Sequence, residues 1–307
     1  MKILITEFMD EAAVSMLQER FDVTYAPDLA DRQTDIPGLM SGVRGLIVRN
    51  RTQVTTELLD AGGDVECVGR LGVGLDNIDL EACAARDVTV YPATGANNLS
   101  VAEYVITNAM MLLRGAYFSG DAMRAGLWPR QACAGREIAG KSLGLVGYGA
   151  IAQQTAAMAR ALGMTIAAFD PFVPADHPAW AETQRCDLPA LLAVSDVLSI
   201  HTPLTDETRH LIDATAMAAM KPGAVVINAA RGGVLDDSAF AASVRAGHLG
   251  GGALDVFEIE PLTADAGEIF AGLDNVVLTP HIGGVTEESN ERVSKMIANA
   301  VAAHLAG

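Results

Sequence analysis

"SLGLVGYGAIAQQTA", residues 142–156, runs from an apolar strand through Gly147-Tyr-Gly149-Ala-Ile-Ala152 into an Ala-rich helix. A strand, a turn of the form G-x-G-x-x-A and a helix open a dinucleotide-binding fold. Gly147 makes the tight turn, and Gly149 lets a pyrophosphate approach the backbone. Ala152 stands at the third position, where the helix packs on the strand. The helix N-terminus then offers N–H groups and a positive dipole end to phosphate. The next apolar run, "TIAAFD" from Thr165, ends in Asp170, 18 positions past Ala152. An acid that accepts ribose hydroxyls belongs about there. It repels a 2′-phosphate, and Pro171 and Phe172 follow it where an Arg would be needed. The expected cofactor is NAD, not NADP.

Outward from this unit, short β-rich runs alternate with Ala-rich helical segments. Before it stand "ILIT" from Ile3, "GLIVRN" from Gly45, "VECVGRL" from Val65 and "VTVYPA" from Val88. After it come "VLSIHT" from Val197, "AVVINAA" from Ala224, "GALDVF" from Gly252 and "NVVLTPH" from Asn275. Continuous apolar strands separated by helices indicate parallel sheets covered on both faces. A chain of 307 residues exceeds one domain of ordinary size, so two are expected. Between the strand sets, Ser100-Val-Ala-Glu103 reads as a capping box with Ser100 as N-cap. The helix it opens is apolar almost all round and should be buried. A last helix, Glu287–Leu305, carries Val293, Met296, Ile297, Ala300, Val301 and Leu305 on one face. It follows the second strand set and is expected to return to the first domain. The expected fold is α/β, with two Rossmann-like or flavodoxin-like parallel-sheet domains. Residues 1–98 and 285–307 would form the substrate-binding domain, and the cofactor domain, 99–284, would be inserted into it.

Composition narrows the function classes. Net charge is −17, from 38 acids and 21 bases, and such a surface repels nucleic acid and anionic membranes. Cys67, Cys83, Cys133 and Cys186 form no CxxC pair and no zinc-ligand spacing, so they read as small thiols and no metal site is expected. The opening "MKILITEFMD" has no apolar h-region, and no stretch is long and apolar enough to span a membrane. The expectation is a reduced, cytoplasmic protein.

Three later strand ends carry chemistry. "VVINAARGG" places Arg231 beyond a strand, "ALDVFEIEPL" places Asp255 and Glu260, and "VLTPHIGG" places His281. Ligands of open α/β sheets bind outside the carboxyl ends of strands. Arg clamps a carboxylate and polarises a carbonyl. Glu beside His favours the imidazolium and orients it. His then serves as acid in one direction and base in the other. In the first strand set, the N–H groups of Gly72, Val73 and Gly74 form either an anion nest or a plain turn. Arg51 and Arg130, in "VRNRTQV" and "LWPRQA", are candidate holders of a second substrate anion or solvated surface groups.

Beyond the turn and the strand ends, "GRLGVGLDNID" (69–79), "HTPLTDETRHLI" (201–212), "MKPGAVVINAARGGVLDD" (220–237) and "GGALDVFEIEPL" (251–262) complete a set that resembles the D-2-hydroxyacid dehydrogenases, the group that includes D-3-phosphoglycerate dehydrogenase. The resemblance spans nearly the whole chain. It implies an NAD-dependent oxidoreductase interconverting a D-type 2-hydroxy acid and its 2-oxo acid, with Arg231 on the substrate carboxylate, Glu260 as partner of the imidazole and His281 as acid/base. It further implies cofactor contacts at Ala150, Ile151, Asp170, Thr202, Ala229, Ala230, Asp255 and Gly284. It favours the anion nest at Gly72–Gly74, and it implies a homodimer. Ala152 departs mildly from the family's usual Gly. "ILITEFMDEAAV", "VRNRTQV", "LWPRQA" and "DPFVPAD" are similar to the members that oxidise 3-sulfolactate to 3-sulfopyruvate. D-3-phosphoglycerate and other D-2-hydroxy acids are the rival substrates. NADH-sensing corepressors of the same family form a second class. They carry extended tails, which the sequence does not show, so an enzyme is expected.

Overall fold

The computed structural model describes residues 1–307. The chain divides into two compact units, Met1–Asn97 with Val285–Gly307, and Asn98–Gly284.

The first unit holds five parallel strands: β1 (Lys2–Ile5), β2 (Asp22–Tyr25), β3 (Val43–Val48), β4 (Cys67–Arg70) and β5 (Thr89–Pro92). Their order is β2-β1-β3-β4-β5, the flavodoxin-type arrangement. Alternate side chains of a strand face opposite sides of the sheet. Ile3 and Ile5 therefore join Ile47 under Ile297, Val301 and Leu305 of the last helix, while Leu4, Leu46 and Val48 pack with Leu58 and Leu59 on the other face. Two strand glycines make room for that helix. A Cβ on Gly69 would stand 2.5 Å from Ile297 Cγ2, and one on Gly45 would stand 3.2 Å from Leu305 Cδ1. The buried face of Glu287–Leu305 is rotated from the expected one. Ala298 and Ala302 are buried, and Met296 is 41% exposed. Small residues let the helix lie close to the sheet, and the long Met chain is displaced to the rim.

The second unit holds seven parallel strands: β6 (Ser142–Val146), β7 (Thr165–Phe169), β8 (Gln184–Arg185), β9 (Val197–Ile200), β10 (Val225–Asn228), β11 (Gly251–Leu254) and β12 (Val276–Leu278). The order β12-β11-β10-β9-β6-β7-β8 is the doubly wound Rossmann arrangement with one added strand, and its direction reverses between β6 and β9. One face is covered by Val105, Ala109 and Leu113 of the helix Asn98–Arg114, packed against Leu143, Leu145 and Ile227. That helix begins two residues before the expected cap. Ser100 is therefore a buried residue of its first turn and not the N-cap. Two strands had no apolar run to announce them. β2 ("DVTY") and β8 ("QR") lie at sheet edges, where one flank is open and the hydrophobic demand is halved.

Candidate active site

The glycine-rich turn lies at the point where the strand order reverses. Gly147 has φ +89°, and its N–H donates to Phe169 O at 2.8 Å. A Cβ there would sit 2.8 Å from His201 O and 3.0 Å from Thr202 Cγ2, so only glycine brings β6 this close to the end of β9. Gly149 precedes the helix Ala150–Ala161 and has no side chain to cap it. Around Gly149 the space a Cβ would enter is open. Ala152 is fully buried, as the third position requires. Asp170 Oδ2 accepts Tyr148 N–H at 2.7 Å, and its Oδ1 accepts Phe172 N–H at 2.9 Å. The carboxylate is thereby fixed beside the turn. Thr202 Oγ1 is buried with no hydrogen-bond partner. An uncapped helix start, an open glycine, a fixed acid and an orphaned hydroxyl at the carboxyl ends of β6, β7 and β9 fit a dinucleotide. His201 closes β9 with Nε2 2.9 Å from Ser199 Oγ. Burial pushes its imidazole down to about 4, which suits a neutral, structural residue.

Arg231, Glu260 and His281 follow β10, β11 and β12, which are neighbours in register: Asn228 is paired with Leu254, and Leu254 with Leu278. Buried Asn228 builds the Arg231 turn. Its Oδ1 accepts Ala230 N–H at 3.1 Å, and its Nδ2 donates to Arg231 O at 3.0 Å. Gly232 lets this turn touch the Glu260 loop, since a Cβ there would collide with Phe257 O. Glu260 Oε1 accepts Phe257 N–H at 3.1 Å, and Oε2 lies 2.7 Å from His281 Nδ1. Burial pushes the Glu260 carboxyl upward. The hydrogen bond and charge of His281, the Phe257 amide and the Arg231 guanidinium outweigh it and hold the group below its ordinary value. Glu260 is thus an anion that only accepts, so Nδ1 carries the hydrogen and Nε2 is the nitrogen free to exchange protons. The His281 side chain is 41% exposed, within reach of a ligand.

Asp255 has a second task besides the one expected of it. It is buried, with Oδ1 accepting Thr279 Oγ1–H at 2.6 Å and Ile282 N–H at 2.8 Å, and Oδ2 accepting Gly283 N–H at 2.7 Å. The His281 N–H donates to the Asp255 carbonyl at 2.9 Å. One residue therefore fastens the whole turn that carries His281. Gly283 permits this approach, since a Cβ there would stand 2.9 Å from Asp255 Oδ2. Ala229, Ala230 and Gly284 lie partly exposed at these same strand ends.

In the first unit, the Gly72 N–H already donates to Arg70 O at 2.7 Å, which leaves Val73 and Gly74 as donors of any nest. Gly72 has φ +155°, and the Arg70 guanidinium fills the place that a Cβ would take there. Arg51 is ion-paired with Asp31 at the exposed surface, while Arg49 is more enclosed and donates to Asn290 Oδ1 at 2.9 Å. Buried Glu7 and Asn77 clamp the turn that bears both. Glu7 accepts the N–H groups of Arg49, Arg51 and Thr52, and Asn77 Nδ2 donates to Thr52 O at 2.6 Å. Arg130, in the second unit, is exposed two residues beyond Trp128, which is 76% exposed. Arg70, Glu7, Asn77, Asn228, Tyr104 and Thr279 are not singled out by any of the motifs above. A polar residue breaking an apolar run or ending a strand was the available signal for most of them.

The arrangement joins a dinucleotide fold to an Arg–Glu–His set at its strand ends. Residues 106–283 match the family described as D-isomer specific 2-hydroxyacid dehydrogenase, NAD binding domain. The chain belongs to this family, and its cofactor is NAD. It is 55% identical over 95% of its length to an (S)-sulfolactate dehydrogenase of Chromohalobacter salexigens, 94% of which is covered. To a D-3-phosphoglycerate dehydrogenase of Mycobacterium leprae it is 38% identical over 99% of its length, covering 57% of that protein. Among solved structures it resembles a Thermus thermophilus protein with a TM-score of 0.92 and 31% identity, over 100% of this chain and 97% of that one. No helix is long and apolar enough to cross a membrane.

Proposed function

We propose that this enzyme interconverts (S)-3-sulfolactate and 3-sulfopyruvate. The likeness of 55% identity, extending over nearly the full length of both chains, carries the reading. Bound NAD supplies or accepts a hydride at C2 of the acid. Arg231 holds the substrate carboxylate and polarises the carbonyl oxygen. In oxidation His281 takes the hydroxyl proton at Nε2, and in reduction it returns it. Glu260 keeps the imidazole oriented and favours its charged form. Gly147 makes the turn, Gly149, Ala150, Ile151 and Thr202 would hold the phosphates, and Asp170 the ribose. Val73 and Gly74 are the remaining nest donors for an anion, and Arg51 and Arg130 are assigned to the distal sulfonate. The exposed Asp31 partner does not bar Arg51 from this, since such pairs are worth about 0–1 kcal/mol. Exposed Tyr117, Leu127 and Trp128 in one segment support a homodimer that covers them. Four free cysteines support a reducing cytoplasm.

A panel of 2-hydroxy acids followed by NADH absorbance tests the substrate. Sulfolactate should show the highest kcat/KM. A higher value for D-3-phosphoglycerate, the substrate of the relative sharing 38% identity, or for a singly charged acid would overturn the reading. Replacing Arg51 or Arg130 by Ala should cost about 10- to 150-fold in kcat/KM for the doubly charged acid, the worth of a charged hydrogen bond. D-lactate should lose little. His281→Ala should lower kcat by about 10²–10⁴ with NADH affinity kept.

A further inference from the structure

The turn that carries His281 is held from behind by a chain of hydroxyls. His281 has φ +56°, a conformation that a non-glycine residue keeps only when its surroundings over-determine it. Asp255 supplies part of that restraint through the N–H groups already described. An ionised carboxylate only accepts hydrogen bonds, so Thr279 gives its hydroxyl proton to Asp255. Thr279 Oγ1 lies 2.7 Å from Tyr104 Oη, and with its own proton committed it must accept from the phenol. The Tyr104 ring also lies under the turn, since a Cβ on Gly283 would stand 3.4 Å from Tyr104 Cγ. Burial pushes the phenol up to about 12, with the Asp255 charge adding to it against the Thr279 hydrogen bond. Tyr104 therefore remains a donor throughout neutral pH. It comes from the middle of Asn98–Arg114, where Val101, Val105 and Ala109 are buried and apolar and the buried Asn108 donates to the Tyr104 backbone carbonyl, at 2.8 Å, and not to its hydroxyl. A hydroxyl placed there has no packing purpose that Phe would not serve.

We infer that Tyr104 is a positioning residue which, through Thr279 and Asp255, fixes His281 for proton transfer. The inference rests on the role proposed for His281. Tyr104→Phe keeps the ring and removes one donor. It should lower kcat about 10-fold, a fraction of the 10²-fold that a 1 Å misplacement costs, and leave NADH affinity within about two-fold. The loosened His281–Glu260 pair should also move the fade of reductive activity to lower pH. Thr279→Val should lose a similar factor, Thr279→Ser should restore most of it, and the double variant Tyr104→Phe/Thr279→Val should be no worse than either single, because both break one chain. The Thr279 pair keeps the test alive if Tyr104→Phe does not fold. His281→Ala separates the two claims. Retained turnover there overturns the role of His281 and the inference with it. Collapse there beside unchanged kcat and pH profile in Tyr104→Phe and Thr279→Val overturns the inference alone, as would strictly additive losses or a loss confined to NADH affinity.

Discussion

Between Glu260 and His281 a single hydrogen bond of 2.7 Å decides which nitrogen exchanges protons. Glu260→Gln keeps an acceptor at that place and removes the charge. Reductive kcat/KM should then fade at lower pH than in the parent enzyme, because the charged imidazole loses its stabilising anion. A pH–rate profile checks this, and an unchanged profile would take Glu260 out of the proton-transfer role. Asp237 has a different electrostatic situation nearby. It and Glu258 accept each other's backbone N–H, at 3.1 and 3.2 Å, and His210 Nε2 lies 3.2 Å from Glu258 Oε1. Burial pushes the Asp237 carboxyl up to about 6, helped by the charges of Glu258 and Asp236 and opposed by the Glu258 N–H and His210. Between pH 3.8 and about 6 the folded chain holds a proton that the unfolded chain has released. The stability this proton confers is full at low pH and is lost as pH rises through about 6. Asp237→Asn never carries the charge, so it should stabilise the protein by about 1–3 kcal/mol at about pH 7.5 and by much less at about pH 4.5. Urea unfolding at the two pH values measures the difference, and equal changes at both would contradict it.

At the scale of elements, the strand–turn–helix from Ser142 to Ala161 is the unit whose sequence and structure agree most closely. Gly147 fills a position that no other residue can take without strain. Gly147→Ala would place a Cβ 2.8 Å from His201 O at a φ of +89°. It should destabilise the protein by at least about 1–2 kcal/mol and weaken NADH binding, as thermal unfolding and fluorescence titration would show. An alanine variant with parental NADH affinity would separate this turn from the cofactor. Of the four edge strands, β5 and β12 carry apolar runs that announce them, whereas β2 and β8 do not. β2 and β8 have one open flank, and Ser100 has the residue type and spacing of a cap although its helix starts two residues earlier. The rotation of Glu287–Leu305 was hidden for another reason. A helical stripe of Ala, Ile, Val and Met is nearly symmetric until the sheet's glycines at positions 45 and 69 decide which side can come close.

At the scale of the whole molecule, chain order and spatial order diverge. Residues 285–307 complete the first unit although they follow the second in sequence. Ile297 is fully buried there, so Ile297→Ala should cost about 2–5 kcal/mol of stability. The residues assigned to NAD all lie in Asn98–Gly284, so NADH affinity at a temperature where the variant is folded should stay within about two-fold. A large loss of affinity would show that the last helix supports the cofactor site.

Sequence alone determined the kind of chemistry, because the residues concerned follow local rules. Glycine at a tight turn, an acid at a strand end and a histidine before two glycines need no distant partner to be recognised. What only the tertiary structure decided were the partners of those residues. The chain places Tyr104 175 residues from Thr279, gives Asp255 the N–H groups of the His281 turn and pairs Arg51 with Asp31. Side-chain hydrogen bonds between such positions follow from how strands are ordered across a sheet. That order depends on which faces bury together, and no single segment of sequence carries it.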